Sequence, residues 1–265
     1  MNSITTQNLK IGYQDHIVVP DLNIVLNKGK ITSIIGPNGC GKSTVLKTIS
    51  RLLKAKGGTV LINDTDMKEL STKDIAKLLA ILPQTPTAPS GLTVEELVAY
   101  GRFPYQKGFG RLSPEDKMVI SWALQVTHLE QFADREIGSL SGGQRQKVWI
   151  AMALAQQTGT ILLDEPTTYL DLAHQVEVLE LLADLNREQN CTIVMVLHDL
   201  NLASRFSDYL LAMKDGHVVK YGGPEEVMTN DILRECFNID AKIIKEEHTG
   251  KYTCVTYDLI RDIKE

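Results

Sequence analysis

The stretch Gly36-Pro37-Asn38-Gly39-Cys40-Gly41-Lys42-Ser43-Thr44 constrains this chain more than any other. It fits the pattern GxxxxGK[ST]. Before it stands a short apolar run, Ile31 to Ile35; after it Val45, Ile49, Leu52 and Leu53 recur at helical spacing. Glycines at these positions let backbone N–H groups curl around phosphate oxygens, and a helix N-terminus adds positive potential. Lys42 is placed to reach β- and γ-phosphates, Ser43 to bind Mg2+ through its hydroxyl, and Thr44 to lie near the α-phosphate. The four fixed positions arise by chance in roughly one chain in a hundred of this size. The strand–loop–helix setting makes chance rarer still.

A second constraint is Ile161-Leu162-Leu163-Asp164-Glu165-Pro166. An apolar strand closing on two acids predicts Asp164 at the carboxyl edge of a sheet, beside the phosphate loop. There it can hold Mg2+ directly or through water. Glu165 is then placed to orient and deprotonate the attacking water. Taken alone, the same residues describe a solvated acidic turn. A third element, Leu140-Ser141-Gly142-Gly143-Gln144, opens a helix and makes another anion-binding nest. One nucleotide does not need two such nests from one chain, so this one predicts a nucleotide held by a second copy. Taken alone, it is an N-cap with a flexible lead-in.

The rest of the chain alternates strand and helix. Leu9, Ile11 and Tyr13, then Leu22, Ile24 and Leu26, alternate with polar residues as half-buried strands do. Thr59 to Ile62 reads as a strand after the Lys56-Gly57-Gly58 break. A short helix capped by Ser71 or Thr72 leads to a strand over Leu79 to Leu82. Helical patterns run from Thr93 to about Phe132, with Ser113-Pro114-Glu115-Asp116 as a helix start. Val148, Ala151, Met152 and Ala155 share one face of the helix near Gly142. Thr160 to Leu163 and Thr192 to Leu197 read as strands. His174 to Glu188 reads as a helix burying Val178, Leu181, Leu182 and Leu185. Tyr209 to Met213 and Val218 to Tyr221 form a hairpin. One helix is expected over Pro224 to Phe237, then two strands around Glu247-His248-Thr249-Gly250. This order predicts an α/β fold with a largely parallel sheet, interrupted by a helical stretch from about 88 to 140.

Composition removes several classes. Hydrophobic residues make up 43% and charged residues 23%, the proportions of an ordinary globular chain. Lys and Arg number 28 against 33 Asp and Glu, a net charge of −5, without the basic footprint of a general nucleic-acid binder. No apolar run approaches the ~18–20 residues of a membrane span. The N-terminus lacks the charged head and apolar stretch of a secretory signal, so the chain is expected in the cytoplasm. Cys40, Cys191, Cys236 and Cys254 have no CxxC spacing and read as free thiols.

With three motifs in this order, the chain resembles an ATP-binding cassette (ABC) ATPase, the nucleotide-binding subunit of an ABC transporter. The resemblance covers nearly the whole chain. It implies a P-loop NTPase fold: a mixed sheet, an N-terminal antiparallel β-subdomain and an inserted α-helical subdomain. Within a single ATP-binding domain over 1–265, residues 1–87 and 141–240 would form the nucleotide-binding core with the β-subdomain. Residues 88–140 would form the helical signature subdomain, and 241–265 a short C-terminal β tail.

The resemblance also assigns roles. Tyr13 stacks on adenine. Gly36, Pro37, Asn38, Gly39, Cys40, Gly41, Lys42, Ser43 and Thr44 bind the phosphates. Gln84 is the Q-loop glutamine, sensing Mg2+ and contacting the membrane subunits. Ser43, Gln84 and Asp164 hold the metal. Glu165 is the base, and Leu170-Asp171 the D-loop at the dimer interface. His198 is the switch histidine on the γ-phosphate. Catalysis thus falls to Glu165, His198, Gln84 and Lys42. The implied assembly is a head-to-tail homodimer that sandwiches ATP against the partner copy's Ser141, Gly143 and Gln144.

Two transmembrane permease subunits and, indirectly, an extracytoplasmic binding protein would complete a complex on the cytoplasmic face of the membrane. Gly91 to Gln106 is similar to ferric-siderophore importer ATPases, as are Gln144 to Gln156 and Pro166 to Gln175. These imply an ATPase energising iron(III)-siderophore uptake, of the ferric hydroxamate or ferric citrate type. Cobalamin or haem importers come next, and then a soluble ABC protein such as an iron–sulfur assembly ATPase. A small P-loop kinase or GTPase has no use for Leu140 to Gln144. Leu97, Val98, Tyr100, Phe103 and Tyr105 are either helix packing or an apolar dock for a permease helix.

Overall fold

The computed structural model describes residues 2–106 and 111–260. In chain order the first part holds β1 (Asn2–Tyr13), β2 (His16–Leu22), β3 (Val25–Asn27), β4 (Ile31–Ile35), α1 (Lys42–Ile49), β5 (Gly57–Ile62) and β6 (Thr65–Asp66). Then follow α2 (Thr72–Leu78), β7 (Leu79–Leu82), α3 (Val94–Ala99), α4 (Pro114–Val126), α5 (Gly142–Ala155), β8 (Thr160–Asp164) and α6 (Leu172–Gln189). The last part holds β9 (Thr192–Val196), α7 (Leu200–Phe206), β10 (Tyr209–Lys214), β11 (His217–Gly222), α8 (Pro224–Val227), α9 (Asn230–Phe237), β12 (Ile239–Lys245) and β13 (Tyr252–Leu259). The first and last parts fold together as one compact unit, and Lys68–Cys191 form the other.

In the first unit β1 pairs antiparallel with β2, β3 and β5. A tight turn joins β1 to β2, with Gln14 at φ +45°. A second sheet runs β11-β10-β4-β9, in which β4 is parallel to both β9 and β10. All five residues of β4 and of β9 are buried, as expected for central parallel strands. β4 feeds straight into the phosphate loop, so the loop stands at the carboxyl end of the sheet. β12 and β13 form a separate antiparallel hairpin.

In the second unit β7 and β8 are parallel, with Leu82 opposite Leu163. Both strands therefore end at the same edge. The helices α3, α4 and α5 pack on one another, burying Val94, Leu97, Val119, Ile120, Val148 and Ala151. Arg102, in a 3-10 turn after α3, is buried and bonded to Asp116 at 2.7 Å and to the Ala155 carbonyl at 2.8 Å. Burial opposes ionisation of Asp116. Hydrogen bonds from Arg102 and Ser113 outweigh it and hold the carboxyl below its ordinary value.

Four local expectations need correction. α1 stops at Ile49, where Arg51 takes φ +63°, so Leu52 leaves the helix and is exposed. The segment Pro224 to Phe237 is two helices, because Thr229 turns extended and caps a second start by accepting from Ile232 N–H. On α6 Leu179 rather than Leu181 completes the buried face. The helical stretch from Thr93 is broken into α3, short 3-10 turns and α4, and 107–110 lie outside the described residues.

Candidate functional site

The phosphate loop is shaped by its glycines. Gly36, Gly39 and Gly41 have φ of +152°, +81° and +107°, which side chains rarely adopt. A Cβ on Gly36 would lie 2.1 Å from the Met213 carbonyl oxygen, whereas a Cβ on Gly39 would meet nothing within 4 Å. The loop is thus braced on β10 at its base and open at its crown. Gly41 is the N-cap of α1 and offers no side chain to the first-turn N–H groups. Lys42 is buried, and its Nζ donates to the carbonyls of Gly36 and Pro37 at 2.8 and 2.9 Å. Asn38 and Gly39 are exposed, Pro37, Ser43 and Thr44 half-buried. Burial pushes the Cys40 thiol up despite the nearby Lys42 ammonium; it takes Cys191 to about 11 and Cys236 to about 12. These thiols are protonated and inert at neutral pH.

The acidic pair ends β8. Asp164 is buried. Glu165 takes a left-handed conformation at φ +55°, which costs a non-glycine residue about 1 kcal/mol. That turn aims its carboxylate at neighbours from two directions. Gln84 Nε2 donates to Glu165 Oε2 at 2.7 Å, and Thr168 Oγ1 donates to the same oxygen at 2.9 Å. The parallel register of β7 and β8 makes the first contact: Gln84 and Glu165 each stand two residues beyond the paired Leu82 and Leu163. Two of the expected catalytic residues are therefore in direct contact.

The Ser141 segment is a complete capping box. Ser141 Oγ accepts from Gln144 N–H at 3.2 Å, and Gln144 Oε1 accepts from Ser141 N–H at 3.0 Å. Gly143 is buried against the His174 ring. His174 Nδ1 lies 2.7 Å from Asp171 Oδ1, which also accepts from His174 N–H as the N-cap of α6. These two bonds hold the Asp171 carboxyl below its ordinary value. The signature turn and Asp171 are thereby linked through one imidazole.

The remaining expected residues stand apart in the chain. Tyr13 stands at the β1–β2 turn and is 44% exposed. His198 follows β9 and is exposed; the preceding Leu197 N–H is tied to the Ile34 carbonyl on β4. Leu97 and Val98 are buried in helix packing, and the Tyr105 hydroxyl donates to the Gln156 carbonyl. Tyr100 and Phe103 are exposed and stack on each other, centroids 4.8 Å apart. Of that group, only this pair is displayed for a partner.

A family model described as ABC transporter matches residues 19–168. The chain belongs to the ABC transporter family. It is 61% identical to the iron(3+)-hydroxamate import ATP-binding protein FhuC of Bacillus subtilis (strain 168), over 100% of this chain and 98% of that one. Among solved structures it is similar to an inward-facing metal-chelate type ABC transporter, with TM-score 0.83, 30% identity and 97% and 98% of the two chains covered. It is also similar to MJ0796, a bacterial ABC transporter cassette solved as a dimer, with TM-score 0.73, 32% identity and coverage of 83% and 98%.

As an ABC cassette the chain binds and hydrolyses ATP. Two residues beside the expected set then stand out: Thr168, on the carboxylate of Glu165, and His174, between Gly143 and Asp171. Both have a faint sequence signal, a polar residue three positions after an acid. Replacing Gly143 by Ala puts a Cβ 2.6 Å from His174 Cδ2, so the ring must move and release Asp171. ATP affinity of the single Gly143→Ala chain should stay unchanged while turnover falls by about tenfold or more. Wild-type turnover would show that the imidazole link is dispensable.

Proposed function

We propose that this chain is the ATPase subunit of an importer of iron(III)-siderophore chelates, of the hydroxamate type. The full-length 61% identity to the hydroxamate-import ATPase carries this reading. In it, two copies pair head to tail; the cassette relative MJ0796 is likewise a dimer. The dimer binds two transmembrane permease subunits from the cytoplasmic side. Those subunits would form the translocation path; among the described residues of this chain no helix is long and apolar enough to cross a membrane.

ATP enters with adenine on Tyr13 and the triphosphate in the loop from Gly36 to Thr44. Lys42 exchanges two carbonyl partners for β- and γ-phosphate oxygens, stronger charge-assisted acceptors. Among the described residues no three His, Cys, Asp or Glu side chains converge as a metal cage. A Ser43 hydroxyl, Gln84 amide oxygen and Asp164 carboxylate are the sparse, all-oxygen set that suits Mg2+ held largely by phosphates. When bound, Mg2+ neutralises charge on the β- and γ-phosphates. Gln84 then leaves Glu165, freeing that carboxylate to take the proton of the attacking water. His198 bonds the γ-phosphate. Ser141, Gly143, Gln144 and Asp171 act on the partner copy's nucleotide, so closure requires both sites filled.

The test is transport itself. Proteoliposomes carrying the chain with candidate permeases should accumulate radiolabelled iron(III)-hydroxamate in an ATP-dependent way when the loaded binding protein is supplied. Stimulation by a cobalamin-loaded or haem-loaded binding protein instead would replace the iron assignment. The exposed ring pair supplies a narrower check. Phe103→Ser should weaken recovery of the permease complex by roughly tenfold, about the ~1.5 kcal/mol expected for one aromatic anchor. Undiminished recovery of that complex would remove Phe103 from the dock.

A further inference from the structure

The C-terminal hairpin is fastened to α7 by side chains that imitate a third strand. β13 pairs with β12 on one edge, and its other edge presents main-chain groups of Tyr252 and Cys254. Asn201 meets both groups of Cys254: Nδ2 donates to the carbonyl at 3.1 Å, and Oδ1 accepts from the N–H at 2.8 Å. One turn on, Ser204 Oγ donates to the Tyr252 carbonyl at 2.6 Å. The alternation is that of a strand edge, where outward groups recur every second residue. It satisfies an edge that would otherwise stand unpaired.

His198 sits between two anchors. On one side Leu197 N–H is held by the Ile34 carbonyl. On the other Asp199 caps α7, accepting from Leu202 N–H at 2.8 Å. The first anchor belongs to the buried sheet. The second is only as firm as α7, a helix of seven residues that packs on β4 and is gripped on another side by the hairpin. A cleft of about 410 Å3 lies here, lined by His198, Asn201, Phe237, Cys254 and Tyr257 among others. The hairpin thus also walls the space beside the histidine.

We propose that Asn201 is a positioning residue for His198, and that the β12–β13 hairpin braces the histidine for γ-phosphate contact. This rests on the reading of His198 as the γ-phosphate contact. Steady-state ATP hydrolysis by the full chain tests it in four proteins: wild type, Asn201→Leu, His198→Ala and the double variant. Leucine keeps the branched shape of Asn201 and removes both bonds to Cys254. Asn201→Leu should lower kcat by about tenfold with KM for ATP within about twofold. In the His198→Ala background it should change kcat by less than about twofold. Equal losses in both backgrounds would mean a general loosening of the fold and overturn the proposal, as would an unchanged kcat in Asn201→Leu alone. If His198→Ala itself keeps wild-type kcat, the histidine's role fails, and the brace with it. Should Asn201→Leu not fold, Ser204→Ala loosens the same grip and is read in the same cycle.

Discussion

Glu165→Gln should bind ATP as tightly as the wild type and turn it over 10²–10⁴-fold more slowly, the range a general base contributes. The structure makes this a clean substitution. Glu165 Oε2 accepts one hydrogen bond from Gln84 and one from Thr168. A glutamine carbonyl oxygen can accept both, so the side chain has reason to keep its place and the φ +55° turn its geometry. What it loses is the ability to take a proton. The loss corresponds to about 3–5 kcal/mol of transition-state stabilisation. Because bound ATP then persists, the variant should accumulate as a closed dimer in the presence of ATP and Mg2+. Single-turnover hydrolysis and size-exclusion chromatography measure the two effects. Hydrolysis near the wild-type rate would remove Glu165 as the base. Thr168→Val refines the point: it removes one of the two bonds without touching the acid, so its smaller effect reports orientation alone.

What could be read in the chain before folding follows the range of the forces involved. The phosphate loop was legible because glycine is a direct statement about backbone angle, and Gly36, Gly39 and Gly41 all take positive φ. Caps at Ser113 and Ser141, and the one offered at Ser71 or Thr72 that falls on Ser71, are legible because each bonds an N–H three residues away. Leu52 misled because its spacing continues the helical pattern while the turn at Ser50 and Arg51 ends the helix. Thr229 carries a cap signal inside an amphipathic run, and the run hid it. The contact between Gln84 and Glu165 needs the register of β7 against β8, which no local pattern encodes. The left-handed turn at Glu165 is likewise imposed from outside the residue. Asn201 and Cys254 lie 53 residues apart, and nothing local pairs them. The motif residues are thus local statements of sequence, whereas their neighbours Thr168 on Glu165 and His174 on Asp171, and the bond from Asn201 to Cys254, become visible only with the fold.

Lys42→Ala should abolish ATP binding at any practical concentration, a loss of at least ~100-fold, or about 3 kcal/mol. Lys42 is 5% exposed, and its Nζ already donates to the carbonyls of Gly36 and Pro37. That arrangement holds Nζ at the loop, out of solvent, before any phosphate arrives. Little ordering remains to be done on binding, so most of the attraction to the triphosphate appears as affinity. The two carbonyls set a second expectation. Without Nζ they lose their cation, so Lys42→Ala should also lower nucleotide-free stability by roughly 1–2 kcal/mol. Thermal unfolding separates the effects. ATP should raise the wild-type Tm by mass action and leave the Tm of the variant unmoved. Lys42→Arg is the sharper control: it keeps the charge, but a planar guanidinium cannot satisfy both carbonyls and a phosphate from the buried position of Nζ. If the arginine variant binds ATP as well as the wild type, charge alone suffices. If both variants respond to ATP as the wild type does, the loop from Gly36 to Thr44 is not where the triphosphate sits.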